Sequence, residues 1–343
     1  MIKVSVIIPH YKGRAILQAC LQSLTASTFL EKEILLVDNG TIDDSLEMVT
    51  KEFPHVRILQ NEKNLGFAGG CNRGIYAAHG EYLLFLNNDT IHDPGWIEPL
   101  VEWLDTHPET ASVMPKILSY SRRDWFDYSG AAGGLLDYYG YPFARGRLLD
   151  YIEQDHGQYN NPIEIFWSSG TAFMMRKKAL EESGVFDETF FAHMEEIDLH
   201  WRLHLLNWKA FCIPASIIWH HSGWTLPPNS YRKKYLNHRN NLIMLLANYS
   251  YLSLLWIIPA RFLLDVMSGG FALLQGDFKR IGALVAAYFW LLIHIPYLVK
   301  KHQKHQSLRR VSDAKIHRIM FKYPIPLTVY LFRKKRYSDL KLS

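Results

Sequence analysis

Val4-Ser5-Val6-Ile7-Ile8-Pro9-His10-Tyr11 is an apolar, β-branched run stopped by a proline. A run this continuous, without polar alternation, reads as a strand buried on both faces, the kind found inside a parallel sheet. Working outward, residues 15–24 have helical spacing, 33–37 form a second strand and 44–53 a helix. Residues 56–60 form a third strand, 67–79 a glycine-bearing helix and 82–86 a fourth strand. Alternating strands and helices predict a parallel α/β sheet, with ligands bound beyond the carboxyl ends of its strands. Residues 119–162 are rich in Gly, Tyr and Asp and lack a period, which reads as a long functional insertion. A second structured block runs from 165 to about 224, and no internal repeat is visible.

The 343 residues are 48% hydrophobic and 21% charged, which excludes a disordered chain, a collagen and a coiled coil. Cys20, Cys71 and Cys212 are far apart and form no CxxC, arguing against a disulfide framework or a thiolate metal site. The first residues lack the basic head and long apolar core of a signal peptide, so the N-terminus is expected in the cytosol. Net charge is +5, and the basic excess comes late. It lies in Arg232, Lys233, Lys234 and Arg239, then Lys300, Lys301, Lys304, Arg309 and Arg310, then Arg333 to Arg336. The most apolar stretches, 242–274 and 281–299, fall between the first two clusters. Bases bracketing apolar helices fit an anionic membrane surface better than nucleic acid. Arg261 and Asp265 interrupt the first stretch, and His294 and Pro296 the second. A hairpin turning at 275–280 that enters or spans the bilayer and a helix pair lying in its interface both satisfy the pattern.

Four signals carry chemistry. Polar residues stand at successive strand ends: Pro9, His10 and Tyr11, then Asp38 and Asn39, then Asn88 and Asp89. Asp38 can accept the N3–H of uracil or thymine, with Tyr11 stacking on the base, although Asx residues also simply form turns. Asp89, after the strand 82–86, has the hard oxygen that a cation on a diphosphate requires. Glu195, Glu196 and Asp198 open a predicted helix behind Phe190-Phe191-Ala192-His193-Met194. The helix dipole accounts for part of that acidity, and an aromatic approach beside clustered acids is also what a general base needs. His220-His221-Ser222-Gly223 offers an imidazole, of which one at most is expected on a metal. Gly66-Phe67-Ala68-Gly69-Gly70 follows the third strand and lacks GxGxxG spacing, so it is not a dinucleotide loop.

Together these segments resemble the family 2 glycosyltransferases. The matching stretches are 4–11, 36–40, 64–72, 85–90, 169–172, 184–187 and 195–199, with His220, Gly223 and Thr225. The likeness covers roughly residues 3–245 and is nearest the rhamnosyltransferase-like branch of bacterial surface polysaccharide synthesis, whose end Asn237 to Leu242 also resembles. It implies a GT-A fold, a Rossmann-like, mostly parallel sheet flanked by helices, here with a C-terminal apolar helical hairpin. The expected parts are a catalytic domain at 1–230, with a nucleotide half to about 118 and an acceptor half after it. A membrane-associated helical region at 231–310 and a basic tail at 311–343 follow.

The resemblance further implies inverting transfer from a UDP- or dTDP-sugar, such as dTDP-rhamnose, to a glycan or polyprenyl-linked acceptor at the cytoplasmic face of the inner membrane. By position, Asp38 meets the base, while Asp89 and His220 meet Mg²⁺ or Mn²⁺. Asn88 stands where many members have an acid, and Lys12 where an Asn is common. Glu196 takes the place of the family's catalytic Asp, with Glu195 and Asp198 as the other candidates. Pro9, Tyr11, Asn39, Asn64, Gly66 and Asn88 complete the donor side, and Trp167, Ser169 and Gly170 the acceptor side. The rival readings are a non-catalytic membrane-associated nucleotide-sugar-binding scaffold, a nucleotidyltransferase, short of its Gly-rich triphosphate loop, and a processive membrane synthase, which needs more spanning helices than one hairpin. The sugar, the linkage and the oligomeric state stay open.

Overall fold

The computed structural model describes residues 2–221 and 230–340. β1 (Val4–His10), α1 (Arg14–Thr25), β2 (Lys32–Asp38), α2 (Ser45–Glu52), β3 (Arg57–Gln60), α3 (Gly66–Ala77) and β4 (Tyr82–Leu86) alternate as expected. They give a parallel half-sheet in the order β3-β2-β1-β4. Val4, Val6, Ile7 and Ile8 are wholly buried, as are Leu83 to Leu86, because helices cover both faces of these strands. α3 approaches β1 so closely that a Cβ on Gly74 would lie 2.3 Å from Ile7 Cγ2. Its glycines therefore set the distance between helix and sheet.

The second half mixes directions. β5 (Thr90–His92), α4 (Glu98–Thr106) and β6 (Thr110–Ser119) lead into the aperiodic insertion. That insertion contains a small antiparallel sheet of β7 (Gly134–Leu136), β8 (Pro142–Ala144), β9 (Arg147–Leu148) and β10 (Tyr151–Ile152). β11 (Ile163–Ile165), β12 (Ala172–Arg176), α5 (Lys177–Ser183), α6 (Glu195–Leu205) and β13 (Lys209–His220) return the chain to the main sheet. β12 inserts antiparallel between β4 and β6, and β13 runs parallel to β6. The result is a mostly parallel central sheet with an antiparallel strand at its middle.

Beyond the sheet come α7 (Tyr231–Asn248), α8 (Tyr251–Leu274), α9 (Phe278–Ile293), α10 (Ile295–Ser307), α11 (Asp313–Ile316) and α12 (Ile325–Tyr330). α7 to α11 bury a shared core with α6 that includes Trp201, Leu245, Tyr249, Ile257 and Ile316, while Ile325 and Val329 of α12 pack against Leu135 and Phe143 of the insertion. Among the described residues, α8 is the one unbroken helix long and apolar enough to cross a membrane.

Candidate active site

The register of the sheet brings distant polar residues to one edge. His10 pairs with Asp38 across β1 and β2, and Ile7 with Phe85 across β1 and β4, so Tyr11, Asp38 and Asp89 all leave carboxyl ends on the same side. β13 then runs back along β5 with His220 opposite Thr90, which sets the imidazole beside Asp89. His220 Nε2 lies 3.1 Å from Asp89 Oδ1, a buried oxygen with no other hydrogen-bond partner among the described residues. Nδ1 of His220 donates to Asp127 Oδ1 at 2.9 Å. Burial works against the imidazolium, but the two flanking carboxylates outweigh it and push His220 up to about 10.

Two ligands on neighbouring vertices of an octahedron with bonds of ~2.1 Å stand about 3 Å apart, close to the Asp89–His220 spacing. The bond to Asp127 is of the kind that would fix the tautomer and aim of His220 on a metal. Among the described residues, no three His, Cys, Asp or Glu cluster as a metal cage. Two protein ligands suit a cation completed by phosphate oxygens and water, which is the usual manner of Mg²⁺ on a nucleotide. The residues present thus fit a divalent ion.

The donor-side candidates are mostly framework. Asp38 Oδ1 accepts the Thr41 N–H at 2.7 Å and caps the turn after β2. Asn39 donates to Gly66 O at 2.9 Å and accepts from Asn61 at 3.0 Å, while Asn64 Oδ1 accepts the Gly66 N–H at 2.8 Å. These bonds lock the loops after β2 and β3 to the start of α3. Asn88 Nδ2 donates to His10 Nδ1 at 2.8 Å, and burial holds His10 neutral by lowering it to about 4. Pro9 packs under α3 beside Gly70, and Tyr11 keeps its ring exposed.

On the opposite side, Asn87 donates to Thr171 O at 2.9 Å and fixes the segment before β12 at the end of β4. Ser169 is buried with its hydroxyl on Ser129 O, and Trp167 is buried with Nε1 on Leu135 O at 2.8 Å. Both hold the insertion in place. Gly170 stays open between the Phe67 ring and Glu196, whose Cδ is 3.9 Å from where a Gly170 Cβ would be. Glu196 therefore reaches the same edge of the sheet as Asp89.

The three acids of α6 diverge. Asp198 points into the C-terminal helices, where it accepts from Arg202 Nε at 3.2 Å and Asn248 Nδ2 at 2.9 Å. Burial would raise it, but Lys301, His305 and Arg202 prevail and hold it below the usual carboxylate range. Glu195 and Glu196 lie beside buried Cys71, each with a buried Oε2 that has no hydrogen-bond partner among the described residues. Burial pushes Glu196 up to about 7, and burial together with the Glu196 charge pushes Glu195 well above the usual range. The backbone leading to them is strained: Phe191, His193 and Met194 all have positive φ, at 59°, 70° and 74°. Asn240 of α7 pins this loop by donating to Phe190 O, Ala192 O and His193 O at 2.8–3.0 Å. Sequence reading missed Asp127 and saw Asn240 only as part of a shared stretch. Ser222, Gly223, Trp224 and Thr225 lie outside the described residues.

Residues 5–184 match the sequence model of glycosyl transferase family 2. The chain is 26% identical over 255 residues to the N-acetylglucosaminyl-diphospho-decaprenol L-rhamnosyltransferase of Mycobacterium tuberculosis, spanning 68% of this chain and 81% of that protein. It is 35% identical over 102 residues, 29% of each chain, to the uncharacterized glycosyltransferase YibD of Escherichia coli. Among solved structures it superposes on GalNAc-T7 crystallised with UDP, GalNAc and Mn²⁺ (TM-score 0.57, 16% identity, 72% of this chain and 48% of that one). It also superposes on the mannosyltransferase PcManGT of Pyrobaculum calidifontis in complex with GDP-Man and Mn²⁺ (TM-score 0.51, 13% identity, 89% and 84%). This chain thus spans about half the length of the first structure, and both likenesses bear on the fold.

Proposed function

The chain belongs to glycosyl transferase family 2, and from that membership we propose an inverting transfer from a pyrimidine nucleoside-diphosphate sugar to a lipid-linked glycan acceptor. Glycosyl transfer from a nucleotide sugar follows from the family itself, which sets aside the nucleotidyltransferase and the inert scaffold. The finer reading is ours. The observation that carries it is the convergence of Asp89, His220 and Glu196 at one sheet edge from three separate parts of the chain.

Asp38 and Tyr11 take the base, Asp38 by accepting the N3–H of uracil or thymine and Tyr11 by stacking. Asp89 and His220 hold Mg²⁺ or Mn²⁺, with Asp127 orienting the imidazole. A bound divalent ion neutralises charge on the departing diphosphate. Glu196, raised toward neutrality by its surroundings, accepts the proton of the acceptor hydroxyl. The acceptor oxygen attacks the anomeric carbon as the carbon–oxygen bond to the diphosphate breaks, and the nucleoside diphosphate leaves with the bonding pair. Gly170, beside Glu196, leaves the space through which an acceptor approaches.

The acceptor and the location come from two supports. The Mycobacterium tuberculosis relative is named for a decaprenyl-diphosphate acceptor, and this chain carries an apolar helix flanked by bases. We place it at the cytoplasmic face of the inner membrane, where anchoring raises the effective concentration of enzyme for a membrane-held acceptor. A panel of UDP-, dTDP-, GDP- and ADP-sugars, with a polyprenyl-diphosphate glycan and Mg²⁺ or Mn²⁺, tests the reading through nucleoside diphosphate release. Acceptor-dependent release from at least one pyrimidine donor is expected. Release from purine donors alone would overturn the base assignment.

A further inference from the structure

α8 meets the rest of the molecule along one stripe. Ser253, Ile257, Arg261 and Asp265, each four residues from the last, are buried. Leu252, Leu255, Leu263, Val266, Met267 and Leu274 are each more than half exposed. The buried stripe is polar and is fastened near its midpoint. Arg261 donates to Tyr139 O at 2.6 Å, to Asn241 Oδ1, and to Asp265 Oδ2 at 3.1 Å, and its guanidinium lies 4.3 Å over the Tyr141 ring. Tyr288 of α9 donates to the same Asp265 oxygen at 2.8 Å. Tyr139 and Tyr141 belong to the turn between β7 and β8, and Asn241 to α7. Were α8 to cross a bilayer, this network would have to break in hydrocarbon or carry the insertion sheet in with it. α9 adds exposed Phe278, Val285, Phe289, Leu292 and Ile293, and the chain then bends by 78° into α10.

We propose that α8, α9 and the start of α10 form a face that docks flat on an anionic lipid bilayer. Their outward side chains enter the acyl boundary, and the α8–α9 turn stays on the same side as the catalytic body. Charge selects the occupant: residues 230–340 hold 19 Lys and Arg against 4 Asp and Glu, whereas residues 1–229 hold 18 against 29. Exposed Lys279 and Lys300 adjoin the exposed Phe278 and Val299 in the chain, where they meet lipid phosphates while the acidic remainder is repelled. The proposal deepens the membrane part of the reading above and does not depend on the transfer chemistry.

The test uses the full chain. Cosedimentation should show at least tenfold tighter binding to vesicles of phosphatidylcholine and phosphatidylglycerol than to phosphatidylcholine alone. The double variant Leu263→Gln, Met267→Gln, on the exposed face, should lose at least tenfold of that binding with its melting temperature unchanged. Absence of binding to either vesicle would overturn the membrane reading altogether, while nucleoside diphosphate release would still judge the chemistry. Topology is read with Gln275→Cys in the α8–α9 turn, since Cys20, Cys71 and Cys212 are all buried. In spheroplasts of a bacterial host, a membrane-impermeant maleimide should label this cysteine only after lysis. Labelling of intact spheroplasts would mean a spanning hairpin and would overturn the flat docking.

Discussion

Glu196 and Asp198 are two positions apart, and their surroundings shift their acidity in opposite directions. Asp198 is satisfied by a guanidinium and an amide, whereas Glu196 keeps a buried oxygen without a hydrogen-bond partner among the described residues and is raised to about 7. A positioned base contributes roughly 10²–10⁴-fold in rate, so Glu196→Gln should cut turnover by about that factor with donor affinity unchanged by calorimetry. Turnover of the wild type should rise with pH through about 7, as the carboxylate forms. The raised acid favours the folded state while protonated. Its stabilisation is full below the ordinary Glu range and is lost as the pH climbs through about 7. Activity and this increment of stability therefore move in opposite directions. Asp127 should act through His220: Asp127→Asn is expected to weaken divalent-cation affinity by roughly 10–100-fold, measured by titration with donor present. Strand ends betrayed Asp89 from sequence. Asp127 gave no such sign, because it lies in an aperiodic insertion and pairs across 93 positions.

At the scale of elements, the strand–helix alternation up to β4 was legible because each run is long and apolar on the faces it buries. β12 was not, since nothing in Ala172–Arg176 tells an antiparallel strand from a parallel one. The insertion sheet was missed because its strands are two or three residues long, too short for a period. Also invisible was the loop that delivers Glu196. It takes up positive φ at three residues without glycine, and the amide of Asn240 and the close approach of α3 help to hold it there. A Cβ on Gly66 would lie 2.3 Å from Phe191 O, and Phe67 N–H donates to that same oxygen at 3.0 Å. Asn240→Ala leaves three carbonyls without this donor. It should lower turnover by about 10²-fold through misplacement of the base, with donor affinity retained. Equal losses in donor binding and turnover would instead point to general unfolding.

The whole molecule is tied together more tightly than a catalytic domain with a loose tail would be. Asn248, at the end of α7, donates to Asp198, and its carbonyl accepts from Arg309 Nη2 at 2.5 Å. Asp313 accepts from Ser250 and Ser253 at 2.6 Å, and Asp137 of the insertion accepts the Ile325 N–H at 2.7 Å. α10 joins through buried Lys301, which pairs with Asp187 in the segment before α6. Truncation after Asn248 would uncover Trp201 and Leu245 and take the Lys301 and His305 charges away from Asp198. The shortened chain should therefore fail to melt cooperatively, whereas the full chain should unfold in one transition by calorimetry. Acid should loosen the same joint. Burial would raise Asp187, but the Lys301 charge outweighs it and holds the carboxyl well below the usual range. A depressed acid stabilises the fold above its unfolded pKa, near 4, and that contribution is lost as the pH falls below it. Lys301→Met should cost about 1–3 kcal/mol at pH 7, the usual worth of a hydrogen bond to a charged group, since half-buried Asp187 keeps Thr189 and Tyr297. It should also flatten the fall in melting temperature between pH 5 and pH 3, and an unchanged slope would show that α10 is held by its apolar contacts alone.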